Sequence, residues 1–204
     1  MDEMTNIQQD WTQFALLLID VQQDFWTEAR AQSFPDFPVN VARLLELCRS
    51  EGIEIVHLRA LFQPDQSDWM VRYKLFGRIP CIQGNPGSET LPCALEAPGE
   101  VVLNKQTFDG FYNPQLLQHL QQQGKRFVLV AGLITSTCVL FTATSAAQSG
   151  FLTAVVGDCC ADEATAHEHT LSRYHYIFSR TAVDRITESY AEWRSALAKL
   201  DEKA

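Results

Sequence analysis

Short apolar runs recur along the chain, separated by longer segments in which apolar side chains follow a helical period. Several runs are apolar at nearly every position, which is typical of parallel strands covered on both faces. The pattern therefore predicts a series of buried strands, the last weaker than the others. The predicted strands are Phe14–Asp20, Ile53–Leu58, Val101–Asn104, Phe127–Ala131, Leu152–Val156 and Tyr176–Phe178.

The segments between these runs carry recognisable helix ends. Gly52, Gly124 and Gly150 each follow a segment of helical period, and glycine is favoured just beyond a helix end. Asn113 and Pro114 supply a cap and a first-turn proline. The predicted helices are Val39–Ser50, 113–124, Ser136–Ser149 and Thr187–Leu200.

This alternation of strands and helices implies right-handed βαβ crossovers. We therefore predict an α/β fold, a Rossmann-like three-layer α/β/α sandwich with a mainly parallel sheet of about six strands. The stretch from about Leu61 to Gly99 lacks a clean period and holds five of the eight prolines and four of the ten glycines. We expect helix fragments and loops there, lying over a functional site. No repeat or linker divides the sequence, which predicts one domain over residues 1–204.

Composition and charge narrow the possible partners. Hydrophobic residues make up 46% of the chain and charged residues 20%, which is typical of a globular protein and argues against disorder. The formal net charge is -9, from 25 acidic and 16 basic side chains. Phosphate backbones and anionic membranes repel such a chain, so we expect neither nucleic acid nor a membrane as partner.

The cysteines and the first apolar run bear on location. Phe14–Ile19 is too short to span a bilayer and follows an acidic, polar stretch, so it does not have the pattern of a secretory signal. The six cysteines lack the spacing of a small disulfide scaffold. We therefore expect free thiols and a cytoplasmic protein.

Three residues with reactive side chains come at the ends of predicted strands. Asp20 ends the first run, Lys105 follows the third, and Cys138 comes shortly after the fourth. Ligands of open α/β sheets bind beyond the carboxyl ends of the strands, so these side chains converge on one edge. Each has a purely structural alternative: a turn cap, a solvent-facing lysine or a packed thiol. Their convergence favours a functional site.

The chemistry of that convergence is that of nucleophilic catalysis. Cys138 lies in the first turn of a predicted helix, where free N–H groups and the helix dipole favour a thiolate, and the Lys105 ammonium lowers the thiol pKa further. Asp20 is suited to take the thiol proton and to return it to a leaving amine. Backbone N–H groups of Ile134 and Cys138 are candidates for an oxyanion hole.

Three sequence blocks carry a resemblance to a known family. The first is Leu18-Ile19-Asp20-Val21-Gln22-Gln23-Asp24-Phe25, the second is 99–105 and the third is 131–139. They resemble, in order, the signature blocks of the isochorismatase-like cysteine hydrolases. Downstream, Gly157-Asp158 and the stretch from His167 to Leu171 are also similar to that family. The resemblance runs from about Phe14 to Phe178.

The resemblance implies a role for each residue. Asp20 matches the acid/base aspartate, Lys105 the catalytic lysine and Cys138 the nucleophile, with Leu133–Ile134 at a position where the family holds a non-proline cis peptide. We expect a substrate pocket bordered by the four residues Gln22, Phe25, Phe108 and Thr135. For Gln22 and Phe25, turn formation and packing are equally good explanations.

The implied reaction is cleavage of a C–N bond in a small amide, carbamoyl or ureido compound through a Cys138 thioester. Relatives that cleave isochorismate, a vinyl ether, commonly lack the cysteine, so Cys138 favours the amide class. Two alternatives stay open: a vinyl-ether hydrolase that depends on Asp20 but not on Cys138, and a non-catalytic binding protein. The resemblance also implies a homodimer or homotetramer.

A metal or cofactor is not expected. Nicotinamidases of this family carry an Asp-x-His pattern after the second strand, whereas here His57 has no acidic residue two positions before it. We therefore expect His57 to pack or to form a hydrogen bond. The basic residues Arg59, Arg72, Lys74 and Arg78 have two explanations, a contact with a substrate carboxylate or surface ion pairing, and we favour the second.

Overall fold

A computed structural model describes residues 9–203. Within this range the chain forms six strands and seven α-helices in alternation. The strands are β1 (Phe14–Ile19), β2 (Glu54–Ala60), β3 (Val101–Lys105), β4 (Phe127–Leu133), β5 (Leu152–Ala161) and β6 (Ser179–Thr181). The helices are α1 (Glu28–Ser33), α2 (Phe37–Glu51), α3 (Val71–Phe76), α4 (Pro114–Gln122), α5 (Leu140–Gln148), α6 (Ala164–Arg173) and α7 (Ile186–Asp201).

The strands form one parallel sheet in the order β3-β2-β1-β4-β5-β6. The winding reverses between β1 and β4, which are the two central strands and are buried along their whole length. A strand that is covered on both faces can be apolar at every position, as β1 and β4 are. The predicted α/β sandwich with a parallel sheet is therefore confirmed, and its reversal point marks the edge where a ligand is expected.

Helices cover both faces of the sheet, and side chains of β1 alternate between the two layers. Leu16 and Leu18 belong to the core that includes Leu44 of α2 and Trp193 of α7. Residues 17 and 19 belong to the opposite core, with side chains of α4 and α5. Successive residues of a strand point to opposite faces, so one apolar run supplies both cores.

Among the strands, the largest differences from the sequence prediction are in the last two. The last strand is Ser179–Thr181 and not Tyr176–Phe178, where the chain forms turns and Phe178 packs into the core. This edge strand is short and polar, so a search for apolar runs does not detect it. Strand β5 extends beyond Val156 to Ala161 because Cys159, Cys160 and Ala161 remain buried on the sheet.

The irregular segment 61–99 contains α3 and two short 3-10 turns, as the prediction of helix fragments and loops requires. A small apolar cluster that includes Phe62, Trp69 and Ile79 packs it against the end of β2. The bridge between Phe62 and Ile82 joins two parts of the segment, and the bridge between Gln22 and Thr90 ties it to the chain that follows β1. The segment thus covers the carboxyl edge of the sheet.

The predicted domain limits, residues 1 and 204, lie outside the described residues, and the single-domain prediction remains a prediction. Among residues 9–203, no helix has the length and apolar character needed to cross a bilayer.

Candidate active site

Asp20, Lys105 and Cys138 meet at the carboxyl edge of the sheet, as the sequence predicts. Asp20 directly follows β1, Lys105 is the last residue of β3, and Cys138 lies five residues beyond β4. Ala60 of β2 is the register partner of Lys105 and lies between the two strands that carry the charged residues. The strand order therefore brings three segments that are distant in sequence to one point.

The Asp20 carboxylate is fully buried and has a partner at each oxygen. Oδ1 accepts a hydrogen bond of 2.8 Å from the Ala60 N–H, and Oδ2 accepts one of 2.7 Å from Lys105 Nζ. The backbone of Asp20 has a φ of 50°, in the left-handed region, where the chain turns away from the strand end. Both carboxylate oxygens are thus held in fixed directions.

The Lys105 ammonium is equally buried, with a second hydrogen bond of 3.0 Å to the carbonyl of Thr107. Burial by itself disfavours the charged amine, but Asp20 and Cys138 together outweigh it and raise the pKa of Lys105. The resting site therefore contains an ammonium and a carboxylate in direct contact.

Cys138 lies in a π-helical turn, Thr135–Val139, that leads into α5, and its side chain is buried. The thiol interacts with Asp20 and Lys105 and with the backbone N–H of Ile134. Burial, followed by the negative charge of Asp20, raises the pKa of the Cys138 thiol and outweighs the opposing effect of Lys105. The sequence prediction of a lowered thiol pKa is therefore wrong, because local position at a helix start says nothing about burial or the carboxylate alongside.

The peptide bond Leu133–Ile134 is cis, at the position where the family resemblance implies one. It joins the end of β4 to the turn that carries Cys138.

A cavity of about 210 Å³ opens above Asp20, Lys105 and Cys138. Its wall is largely apolar and aromatic, formed by Phe25, Phe62, Met70, Tyr73, Pro80 and Phe108. The predicted pocket residues Phe25 and Phe108 are therefore on the wall. Four of the six wall residues come from segment 61–99, so the irregular stretch does cover the site.

The other two predicted pocket residues, Gln22 and Thr135, lie behind the wall. The Gln22 amide donates to the carbonyls of Ala60 and Ser88, both at 2.9 Å, and accepts from the Ala60 N–H at 2.9 Å. Gln22 thus ties β1 to β2 and to the covering segment. This is the correction to its assignment: a buried amide next to free backbone groups is used for hydrogen bonding and not for substrate contact.

The family follows from comparison with known proteins. The model of the Isochorismatase domain matches residues 14–182. The chain belongs to the isochorismatase family. Its relatives include maleamate amidohydrolase from Pseudomonas putida, 33% identical over 178 residues, which cover 81% of this chain and 83% of that protein.

Solved structures of the family share the fold. An isochorismatase family protein from Desulfovibrio vulgaris superposes with a TM-score of 0.79 at 26% identity, covering 88% of this chain and 98% of that one. N-carbamoylsarcosine amidase from Thermoplasma acidophilum superposes with a TM-score of 0.71 at 23% identity, covering 85% of this chain and 98% of that one. The chain thus has the fold of these proteins.

Two side chains that sequence analysis did not assign hold the turn that carries Cys138. Asp162, at the end of β5, accepts a hydrogen bond of 2.8 Å from the Ser136 N–H. Buried His167 of α6 bonds through Nδ1 to the Thr135 hydroxyl at 2.9 Å. Burial lowers the pKa of His167, so it is neutral at pH 7. In the sequence, the family resemblance of the stretch that begins at His167 could have pointed to this histidine, whereas no pattern marks Asp162.

His57 lies away from the cavity. Its Nε2 forms a hydrogen bond of 2.8 Å with Glu100, which confirms the predicted hydrogen-bonding role. In the described part of the chain no three His, Cys, Asp or Glu side chains are grouped so as to hold a metal ion.

Proposed function

We propose that this isochorismatase-family hydrolase is a thiol-dependent amidohydrolase. Its substrate is a small amide, carbamoyl or ureido compound, and its nucleophile is Cys138. The observation that carries the proposal is a buried thiol on the floor of a cavity, beside the ion pair of Asp20 and Lys105. The name of the relative from Pseudomonas putida, an amidohydrolase, supports the same class of bond.

The first half of the reaction forms a thioester. Asp20 takes the thiol proton as Cys138 sulfur bonds to the carbonyl carbon, and the C=O pair moves onto oxygen. The N–H groups of Ile134 and Cys138 stabilise that oxyanion. When the carbonyl re-forms, the C–N bond breaks and the proton held by Asp20 leaves with nitrogen as ammonia or an amine.

The second half consumes water. Asp20 removes a proton from the water that attacks the thioester, the C–S bond breaks, and the proton returns to the Cys138 sulfur. The products are ammonia or an amine together with a carboxylic acid from an amide, or with a carbamic acid from a carbamoyl or ureido compound, which decomposes to carbon dioxide and a second amine or ammonia. The enzyme regains its starting state. Lys105 holds the Asp20 side chain in place through both halves by its hydrogen bond of 2.7 Å to Oδ2.

The raised thiol pKa supports the role given to Asp20. A thiol that is largely protonated at neutral pH needs a base at the moment of attack, and the Asp20 carboxylate is the group positioned for this. The vinyl-ether and binding-protein alternatives give the Cys138 thiol no role.

Ammonia release tests the proposal. A panel of primary amides, N-carbamoyl compounds and ureido compounds is incubated with wild type and with Cys138→Ser, and ammonia is measured. We expect release by wild type and loss of at least about 10³-fold in the variant. Equal release by both proteins removes Cys138 from the chemistry. Turnover of isochorismate by both, without ammonia release from any amide, establishes the vinyl-ether alternative.

We also propose a cytoplasmic location and a homodimer or homotetramer. All six cysteines are free thiols, as expected in a reducing compartment. Several large apolar side chains are exposed, among them Leu75 of α3 and Tyr112 in the turn before α4. Light scattering on the eluting peak of a size-exclusion column distinguishes a monomer from either assembly.

A further inference from the structure

Among residues 9–203, none places an unpaired positive charge on the wall of the cavity above Cys138. Among the described residues that line it, the charged ones are Asp20 and Lys105, which are paired with each other at 2.7 Å. The Lys105 ammonium is further occupied by the Thr107 carbonyl at 3.0 Å. A substrate carboxylate would therefore meet an ammonium that is already neutralised and a carboxylate that repels it.

The basic residues of the neighbouring segments do not supply the missing charge. Arg59 is paired with Glu96, and the Arg72 guanidinium lies 4.8 Å from the centre of the Phe76 ring. Arg78 lines an exposed depression that adjoins the cavity and shares Tyr73 and Pro80 with it, but Arg78 itself is not among the described residues of the cavity wall. Arg30 donates to the Phe25 carbonyl at 2.6 Å and is not on the cavity wall. Neither these four guanidinium groups nor the Lys74 ammonium is among the described residues that line the cavity.

The wall is suited to apolar contact instead. Phe25, Phe62, Met70 and Phe108 face the cavity, and the Tyr73 ring meets Phe108 edge to face with centroids 6.2 Å apart. The cavity, about 210 Å³, is smaller than the pockets of roughly 300–1,000 Å³ that hold drug-sized ligands. It therefore fits a compact acyl group.

We infer that the substrate is an uncharged, compact amide with an apolar acyl group, and that acid amides such as maleamate are poor substrates. The inference rests on the proposed function for the identity of the bond that is cleaved. Its physical basis is that a carboxylate enters an apolar wall only at the cost of its hydration, which an unpaired cation would have to offset.

The rate at which Cys138 is alkylated measures the charge preference of the cavity without a known substrate. Iodoacetamide and iodoacetate differ by one amide-for-carboxylate exchange, and both are small enough for the cavity. The rates are measured by mass spectrometry of the Cys138 peptide and normalised to those of glutathione. We expect iodoacetamide to be preferred by about tenfold or more. A preference for iodoacetate overturns the inference.

A variant with an added cation makes the test specific to the wall. Phe108 is on the wall, whereas Phe141 stacks on it with centroids 6.0 Å apart but does not line the cavity. We expect Phe108→Lys to shift the preference toward iodoacetate by about tenfold, and Phe141→Lys to shift it much less. Equal shifts in the two variants would show that the effect comes from overall charge and would count against the inference.

A matched pair of amides then tests turnover. Isocrotonamide carries a methyl group where maleamate carries a carboxylate, and the remaining atoms are the same. We expect kcat/KM for isocrotonamide to exceed that for maleamate by about tenfold or more. Faster, Cys138-dependent hydrolysis of maleamate overturns this inference but leaves the proposed function intact. If neither amide reacts and Cys138 still prefers iodoacetamide, the charge preference holds and the proposed reaction fails for these two amides.

Discussion

Lys105 Nζ lies 2.7 Å from Asp20 Oδ2, and both side chains are almost completely excluded from solvent. The residues are 85 positions apart and come from strands that are not neighbours, since β2 lies between β1 and β3. Ala60 of β2 bridges them, as the register partner of Lys105 and as an N–H donor to Asp20. Because buried charges are costly unless they are paired, this contact stabilises the edge and sets the charge around Cys138.

Removing one partner of this pair should damage stability as well as activity. We expect Lys105→Met to lower the free energy of unfolding by about 3–5 kcal/mol, since it leaves the Asp20 carboxylate buried and uncompensated. The double variant Asp20→Asn/Lys105→Met should recover part of that loss but none of the hydrolysis. Urea unfolding at pH 7 measures the stability of the single and the double variant. A double variant no more stable than Lys105→Met would contradict the ion-pair explanation.

Gly132 should not tolerate a side chain. A Cβ at this position in β4 would lie 2.0 Å from the Ile19 carbonyl oxygen, next to Asp20, and its φ is 122°. We expect Gly132→Ala to destabilise the protein by more than about 3 kcal/mol. Gly150→Ala is the control because its φ is also positive, 92°, but no atom lies within 4 Å of an added Cβ. It should cost about 1–2 kcal/mol in the same urea titration. Equal losses would mean that backbone conformation alone is responsible.

The sequence was sufficient for the fold and for the three central residues. Apolar runs such as β1 and β4 are unambiguous because parallel strands are covered on both faces. Parallel strands also end at one edge, so Asp20, Lys105 and Cys138 could be placed together without coordinates. The short polar strand β6 has no such pattern and was misplaced.

The charge state and the wall of the site could not be predicted in the same way. The pKa of Cys138 depends on burial and on a carboxylate from another strand, and neither is visible in the residues around position 138. The family resemblance implies that Gln22 borders the pocket, with packing as an equally good explanation, and the residues around it do not show that its amide bonds to the carbonyls of Ala60 and Ser88. Segment 61–99 has no period, so its contribution to the wall, such as Tyr73, emerges only from tertiary packing.

The bond between Thr135 and His167 should position the turn that carries the nucleophile. Thr135→Val keeps the shape but removes the hydroxyl, leaving buried His167 Nδ1 without that partner. We expect a loss of about 1–3 kcal/mol in stability and a fall in kcat with little change in KM. Thr135→Ser, which retains the hydroxyl, should restore most of kcat. If the serine variant is as slow as the valine variant, the hydroxyl is not the positioning group.

Glu100 should contribute stability that disappears in acid. Burial works against its carboxylate, but hydrogen bonds from Arg49, the Ala97 N–H and His57 prevail and lower the Glu100 pKa to about 2. A lowered carboxyl pKa stabilises the fold above the ordinary value of 4.5, and this contribution is lost as the pH falls toward 2.

The effect is measured by urea unfolding of wild type and Glu100→Gln over that pH range. The difference between them should be about 1–3 kcal/mol at pH 7 and should shrink steadily below pH 4.5. Glu96→Gln is the control because Glu96 is more exposed and pairs with Arg59 alone, so its loss should stay below about 1 kcal/mol. A Glu100→Gln difference that does not vary with pH would exclude the linkage.

Asp20→Asn should separate the reactivity of the thiol from the hydrolysis of an amide. Burial and the Asp20 charge both raise the pKa of Cys138, so removing the charge lowers that pKa and increases the thiolate fraction at a given pH below it. We therefore expect iodoacetamide to alkylate Cys138 about three- to tenfold faster in Asp20→Asn than in wild type at pH 8. Amide hydrolysis should fall by at least about 10²-fold because the base is gone.

Asp24→Asn is the matched control. This variant also removes a carboxylate, which accepts a hydrogen bond of 2.7 Å from the Cys81 N–H, but Asp24 does not line the cavity. Alkylation of Cys138 in this variant should stay near the wild-type rate. In wild type the rate should rise continuously from about pH 7 to about pH 9 without levelling off, since the thiol is protonated throughout that range. Slower alkylation of Asp20→Asn would mean that Asp20 serves as base even toward iodoacetamide, and that its charge does not set the thiolate fraction.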